Sequence, residues 1–132
     1  MTGYTSLTGR WLGRYDYSGN REGVGFEVDL VDIEGDLSGS IFEPNTFRRD
    51  MGSELTAELG GRHASGTVQF VKRYLGFRQG NDPAYSGEVN AALTRIAGTW
   101  VFPGRGGSGR FVMSRKPLAA ARVERLESVT VD

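Results

Sequence analysis

The segment VQFVKRY, residues 68–74, alternates between two kinds of side chain along its length. Successive side chains of a β-strand point to opposite faces, so the segment predicts a strand with one interior and one exterior face. The interior face would carry Val68, Phe70, Lys72 and Tyr74, and the exterior face Gln69, Val71 and Arg73. Lys72 is the exception on an otherwise apolar face, and an unpaired ammonium in that position would be costly.

The same period of two recurs along most of the chain up to residue 115. Turn-forming residues separate the strand candidates, which cover residues 9–17, 24–30, 36–43, 54–61, 64–75, 84–93, 95–102 and 108–116. Eight sequential antiparallel strands bury their common face most simply by closing into an up-and-down barrel, which removes exposed strand edges. The sequence therefore predicts an all-β, eight-stranded antiparallel barrel, with a two-sheet sandwich as the alternative.

The C-terminal segment that follows Pro117 has a different pattern. Ala119, Val123 and Leu126 recur at helical spacing within LAAARVERLES, and most residues of this segment favour helix. We therefore expect a short C-terminal helix over about 117–128, although the final SVTVD alternates again and is compatible with a strand. The whole chain, 1–132, is predicted to be a single barrel domain with its strands over about 8–115.

The composition narrows the classes of function. Basic and acidic residues both number 16, so no net field favours nucleic acid. The chain has no cysteine, which excludes disulfides and thiolate chemistry. No apolar run approaches the roughly 20 residues that span a bilayer. MTGYTSLTGRW also lacks a signal-peptide pattern. These features predict a cytoplasmic protein that binds neither membrane nor nucleic acid.

The residues that could hold a metal are few. The single histidine, His63, lies in GGRHAS, which we interpret as a solvated turn. Without cysteine and with one histidine, a zinc site is not expected. The acidic residues Asp29, Asp32, Glu34 and Asp36 lack the spacing of a calcium loop and are expected to be solvated. The sequence therefore predicts no metal and no cofactor.

A tryptophan lies in the first strand candidate and an arginine lies near the end of the last one. Gly9-x-Trp11 opens the first strand candidate, and Arg115 closes the last in FVMSRK. This layout resembles the calycin group of small barrels, which comprises lipocalins, fatty-acid-binding proteins and the avidin family. In that group an arginine or lysine of the last strand packs over the first-strand tryptophan, so the resemblance implies contact between Arg115 and Trp11. The run LGRYDYSG departs from the Asn/Ser-containing run that holds biotin in the avidin family, so biotin binding is not implied.

Lys72 is the first candidate for a functional side chain. It would meet an anionic or carbonyl-bearing ligand inside the barrel, reach solvent at a strand end, or pair with an acid. For the barrel as a whole the predicted partner is a small apolar or anionic ligand. Glu43 is the expected partner because it continues the inward face of Leu37, Gly39 and Ile41. The predicted ligand-binding residues are Tyr15, Glu43, Phe70, Lys72, Tyr74, Tyr85 and Trp100. Small inward residues, namely Gly13, Gly39, Gly87, Ala91 and Gly98, favour an unfilled cavity, whereas the aromatic residues could instead fill the barrel.

Three functions remain open on these residues. The first is a small-molecule-binding barrel with a pocket in its lumen. The second is a cofactor-independent cyclase or isomerase that positions a flexible substrate in the same pocket, as some calycin-shaped barrels do. The third is a structural or protein-interaction barrel with a filled core, whose outer face forms a homo-oligomer through exposed residues such as Val71, Val101 and Val112.

Overall fold

The computed structural model describes residues 3–17, 23–46, 48, 50–77, 82–104 and 106–118. The strands are β1 (Gly9–Tyr15), β2 (Val24–Ile33), β3 (Asp36–Pro44), β4 (Glu54–Ala64), β5 (Thr67–Tyr74), β6 (Ala84–Val89), β7 (Arg95–Val101) and β8 (Ser108–Ser114). Each strand pairs antiparallel with the next, and β1 also pairs with β8. The predicted eight-stranded up-and-down barrel is therefore confirmed, and the pairing of β1 with β8 excludes the two-sheet sandwich.

The described residues contain no helix. The helix expected over about 117–128 falls almost wholly within residues 119–132, which lie outside the described part of the chain. It gains no support from the residues that are described. Across those same ranges there is no helix of the length and apolarity needed to span a bilayer.

Strand β5 illustrates how the alternating sequence builds the core. Val68, Phe70, Lys72 and Tyr74 are buried, and the residues between them are exposed. The register then places Lys72 opposite Leu59 of β4, so the inward rows of neighbouring strands meet. Inward side chains from all eight strands form one continuous core.

The two ends of the barrel differ in their connections. At one end, two-residue turns at Glu34–Gly35 and Ser65–Gly66 have positive φ at both residues, 52° and 91° in the first and 54° and 79° in the second. This backbone is that of a type I′ turn, whose twist suits a tight hairpin. At the other end, β1 leads to β2, β3 to β4, β5 to β6 and β7 to β8. We call these the closed end and the open end.

Arg115 covers Trp11 at the closed end. Its guanidinium carbon lies 4.4 Å from the Trp11 ring centroid, and Trp11 is fully buried. The same guanidinium donates hydrogen bonds to the carbonyl oxygens of Ser6 at 2.6 Å, Thr8 at 2.8 Å and Leu93 at 2.9 Å. The expected contact between Arg115 and Trp11 is confirmed, and it ties the N-terminal segment and the β6–β7 connection to the end of β8.

Candidate functional site

A buried ion pair lies inside the barrel near its open end. The ammonium of Lys72 lies 2.5 Å from Oε1 of Glu43, and the two residues are 2% and 1% exposed. Glu43 is the penultimate residue of β3, and Lys72 lies on β5, with β4 between them. The sequence-based prediction that these two residues pair is confirmed.

Two tyrosines complete the hydrogen bonding of the Glu43 carboxylate. The hydroxyls of Tyr15 and Tyr74 donate to its Oε2 at 2.8 Å and 3.0 Å. Each tyrosine is the last residue of its strand, β1 or β5, so the open ends of three strands converge on one carboxylate. Burial, and next the negative charge of Glu43, raise the pKa of both phenols far above the ordinary value. Both phenols therefore remain protonated donors.

The Lys72 ammonium also contacts the faces of these two tyrosines. Its nitrogen lies 4.6 Å from the ring centroid of Tyr15 and 4.6 Å from that of Tyr74, within cation–π distance. Burial lowers the pKa of Lys72, while the charge and hydrogen bond of Glu43 act in the opposite direction. The ion pair and the aromatic faces together stabilise the charged lysine in an interior that would otherwise exclude it.

An aromatic cluster continues from the ion pair across β5, β6 and β7. The rings of Phe70 and Tyr85 stack with centroids 4.8 Å apart, and Tyr85 in turn lies 6.4 Å from Trp100. Trp100 returns to Tyr15 with centroids 6.3 Å apart. The structure therefore brings all seven predicted site residues into one buried cluster: Tyr15, Glu43, Phe70, Lys72, Tyr74, Tyr85 and Trp100. Whether they bind a ligand stays a prediction.

The inward glycines do not leave the barrel empty. A Cβ atom at Gly13 would lie 2.2 Å from the ring of Phe26, and one at Gly87 would lie 2.9 Å from that of Phe111. At Gly98 it would lie 1.9 Å from the carbonyl oxygen of Ser86. The expectation that these glycines mark a cavity is wrong, because neighbouring rings and backbone occupy the space that they leave.

Two small cavities nevertheless adjoin Lys72. Each offers about 10 Å³ to the centre of a water molecule, which is close to the minimum that one water needs. The deeper cavity is mainly apolar, with Phe26, Leu59 and Met113 among its lining residues. The outer cavity reaches the open end, where its lining includes Tyr17, Pro83, Trp100 and Phe102.

Polar groups with spare hydrogen-bonding capacity line both cavities. Within the described ranges, Glu43 is the one hydrogen-bond acceptor of the Lys72 ammonium, which has three N–H donors. The hydroxyl of Tyr85 makes no hydrogen bond to another described residue, although Tyr85 is only 5% exposed. Buried donors of this kind normally find a partner. The outer cavity is therefore suited to an oxygen acceptor.

Three residues of this outer cavity were missing from the predicted site. Tyr17 lies two residues after the end of β1, Phe102 follows β7 directly, and Pro83 precedes β6. Tyr17 continues the alternation of Trp11 and Tyr15, so the period of two predicted an inward direction. It lies at the rim, however, and is 39% exposed. Phe102 continues the alternation of Ile96 and Trp100 and is buried, so the period of two indicated its direction as well. Pro83 precedes β6 and lay outside the strand candidates, so alternation gave no information about its direction.

His63 and Asp32 form a second polar pair, at the closed end. His63 lies within β4, and its Nδ1 lies 2.8 Å from Oδ2 of Asp32, whose side chain is 4% exposed. The interpretation of His63 as a solvated turn residue and of Asp32 as a solvated acid is wrong. The turn lies two residues later, at Ser65–Gly66, because the glycines before His63 belong to β4.

Comparisons with known proteins assign this site to no family. The chain matches no protein-family model, and a search of curated proteins finds no significant relative. Among the described residues there is also no group of three or more histidine and acidic side chains that could hold a metal ion. The class that the geometry defines is a closed eight-stranded antiparallel barrel with a Glu–Lys–Tyr cluster beneath its open end.

Proposed function

We propose that the chain is a calycin-like barrel whose open end binds a small molecule through an oxygen acceptor. The observation that carries the proposal is the outer cavity, where Lys72 and Tyr85 present buried donors with spare capacity. The packing of Arg115 over Trp11 supports the calycin-like class, because that group closes one barrel end in the same way. A carbonyl, carboxylate or phenolate oxygen is the chemistry that these donors would recognise.

The size of the cavity limits where such a ligand lies. A volume that suits about one water holds a single polar atom of the ligand. The rest of the molecule would lie against the rim aromatics, where Trp100 meets Tyr17 edge-to-face at 5.1 Å and Phe102 at 5.3 Å. Tyr17, being partly exposed, is the side chain that an incoming ligand displaces first. A flat, apolar ligand with one anionic or carbonyl group fits this description.

The cyclase or isomerase hypothesis receives less support from the geometry. A catalytic carboxylate would need a free oxygen that faces the substrate. Both oxygens of Glu43 already accept hydrogen bonds, from Lys72, Tyr15 and Tyr74. A binding function therefore accounts for the cluster with fewer rearrangements than catalysis by Glu43.

A structural barrel is the second candidate, and the small cavity volumes favour it. In that case each cavity holds a water molecule that satisfies Lys72 or Tyr85, and the lumen binds nothing larger. The two candidates differ in one measurable respect. In a ligand-binding barrel the environment of the Trp100 side chain changes when ligand is added, whereas in a filled barrel it stays the same.

The two tryptophans provide a built-in test, because Trp100 lies beside the outer cavity and Trp11 lies at the closed end. We would titrate the protein with 8-anilinonaphthalene sulfonate and with benzoate, and follow the two indole N–H signals by NMR. Selective movement of the Trp100 signal is expected. Native mass spectrometry of the purified protein would show in parallel whether a small molecule co-purifies.

The matched variants for this titration are Tyr85→Phe and Tyr4→Phe. Tyr85→Phe removes the donor at the cavity and should weaken binding of both probes. Tyr4 lies at the closed end, where its ring contacts Arg115, so Tyr4→Phe should leave probe binding unchanged. Equal movement of both indole signals would favour the filled barrel. The same conclusion would follow if neither signal moves and no small molecule co-purifies.

A further inference from the structure

Two shallow grooves flank β1 on the outer wall of the barrel. The first has a volume of about 440 Å³ and lies on the side of β7 and β8. The second has a volume of about 500 Å³ and lies on the side of β2, β3 and the start of β4. Leu12 of β1 stands at the edge of the second groove with 60% of its surface exposed. Both grooves lie on the outer wall, although Tyr15 lines the first and Glu43 lines the second, and both residues also belong to the buried cluster inside the barrel.

The first groove is basic. Arg14, Arg95 and Arg110 line it, around a floor that includes Ala97 and Val112. All three arginines are exposed, and none of their side chains forms an ion pair with another described residue. Asp16 also lines the groove, where its Oδ1 accepts the backbone N–H of Arg110 at 3.0 Å. The three guanidinium groups outnumber this single carboxylate.

The second groove is acidic and partly apolar. Glu27 and Glu54 line it together with Leu12 and Phe42. Glu54 is exposed and has no ion pair within the described part of the chain. Glu27 lies 3.7 Å from Arg10. Arg10, however, is bound more closely by Asp29, at 2.6 Å. The negative charge of this groove is therefore largely uncompensated.

We propose that this wall is the contact face of a homodimer, in which the basic groove of one copy receives the acidic groove of the other. The two grooves flank the same strand, so a two-fold axis running along β1 places each groove opposite its complement. Leu12 then lies near the centre of the contact, where it is shielded from water. A small anion in the basic groove would leave the neighbouring acidic groove and the exposed Leu12 without explanation.

The test is a set of charge-reversal variants. The dimer Kd of each is measured by sedimentation of the full chain over a range of concentrations. Wild-type protein should form dimers that dissociate as the salt concentration rises, because exposed charges are screened within about 8 Å at physiological ionic strength. Arg95→Glu with Arg110→Glu should raise the dimer Kd on the order of tenfold or more, because like charges then face each other. Glu27→Lys with Glu54→Lys should do the same. Combining all four changes should restore the dimer.

The control is Arg62→Glu, which reverses an exposed charge on β4 outside both grooves and should leave the Kd unchanged. Circular dichroism would verify that each variant is folded. A wild-type protein that stays monomeric, or a dimer that the reversals do not weaken, would overturn the proposal. Inorganic phosphate that binds a monomer and shifts the arginine signals in NMR would instead assign the basic groove to a small anion.

Discussion

The ammonium of Lys72 lies 2.5 Å from the carboxylate of Glu43, at a point in the barrel where both side chains are at most 3% exposed. Such a pair contributes little net stability by comparison with apolar residues of similar size, because both charges have lost their hydration. Removing one partner is a different matter, since the other charge is then left buried without compensation. This asymmetry leads to a direct test of the cluster.

Glu43→Gln should lower the free energy of unfolding by about 3–5 kcal/mol at neutral pH, because Lys72 then lacks its carboxylate. The loss should shrink as the pH rises. Burial holds the pKa of Lys72 below that of the unfolded chain, so the unfolded state binds more protons and stability increases with pH. Urea denaturation of the variant between neutral pH and pH 10 measures both effects.

The combined change of Lys72→Met and Glu43→Gln should recover most of this stability, because no buried charge remains. Glu58→Gln is the matched control, since Glu58 of β4 pairs with Arg73 on the outer face of β5, the strand that also carries Lys72. An exposed pair of this kind contributes little, so the control should resemble the wild type. A double variant that is as unstable as Glu43→Gln would mean that the unpaired charge of Lys72 is not the cause of the instability.

The buried tyrosines should resist ionisation. Burial and the Glu43 charge raise the pKa of Tyr15, Tyr74 and Tyr85, so three of the five tyrosines should stay protonated in the folded protein above pH 10. In the unfolded chain they ionise near pH 10, so that state then binds fewer protons and these groups make stability fall as the pH rises. Phenolate absorbance in native and urea-unfolded protein measures the difference. Ionisation of all five near pH 10 in the folded state would contradict this prediction.

The sequence was informative where alternation decides the outcome. Trp11, Glu43 and Lys72 all lie on the inward face of a regular strand, so their direction followed from position alone. Glu43 and Lys72 come from β3 and β5, which are separated only by β4 in the barrel. Two inward side chains on such strands can therefore meet across the lumen. Arg115 lies one residue beyond β8 and continues its inward alternation, which agreed with the contact to Trp11 that the calycin resemblance implied.

The sequence was misleading where a glycine could mean either a turn or a crowded strand. Gly60 and Gly61 suggested that the chain turns before His63, whereas β4 continues to Ala64. The partner of His63, Asp32, comes from β2, which is two strands away from β4, so no local pattern reveals the pair. The packing of aromatic rings over the inward glycines was equally hidden, because ring positions such as that of Phe26 over Gly13 depend on side-chain rotamers.

The Asp32 carboxylate should stabilise the folded protein at neutral pH, and this contribution should be lost in acid. Burial alone would raise the pKa of its carboxyl group, but hydrogen bonds from the Leu7 and Gly35 N–H groups and from His63 hold that pKa below the ordinary value. The contribution is therefore complete above the unfolded pKa of about 4 and is lost as the pH falls through the folded pKa. Asp32→Asn should destabilise by about 1–3 kcal/mol at neutral pH. Its deficit relative to wild type should shrink in acid.

The control for Asp32 is Asp36→Asn. Asp36 pairs with Arg62 on the same hairpin end, but its side chain is 81% exposed, so little change is expected at any pH. Thermal unfolding of the three proteins between pH 3 and pH 7 provides the comparison. A deficit of Asp32→Asn that is constant over this range would mean that the hydrogen bonds do not depend on the carboxylate charge.

Adjacent glycines of β4 should respond in opposite ways to the same substitution. A Cβ atom at Gly61 would lie 1.9 Å from the carbonyl oxygen of Gln69 and 2.6 Å from Cα of Phe70, both of them backbone atoms of β5. A Cβ atom at Gly60 would meet nothing within 4 Å. Gly61→Ala should therefore separate β4 from β5 and cost roughly 1–3 kcal/mol or more. Gly60→Ala should be neutral or stabilise by up to about 1 kcal/mol, because alanine restricts the unfolded chain. Urea denaturation of both variants decides the matter, and equal effects would mean that β4 does not approach β5 in this register.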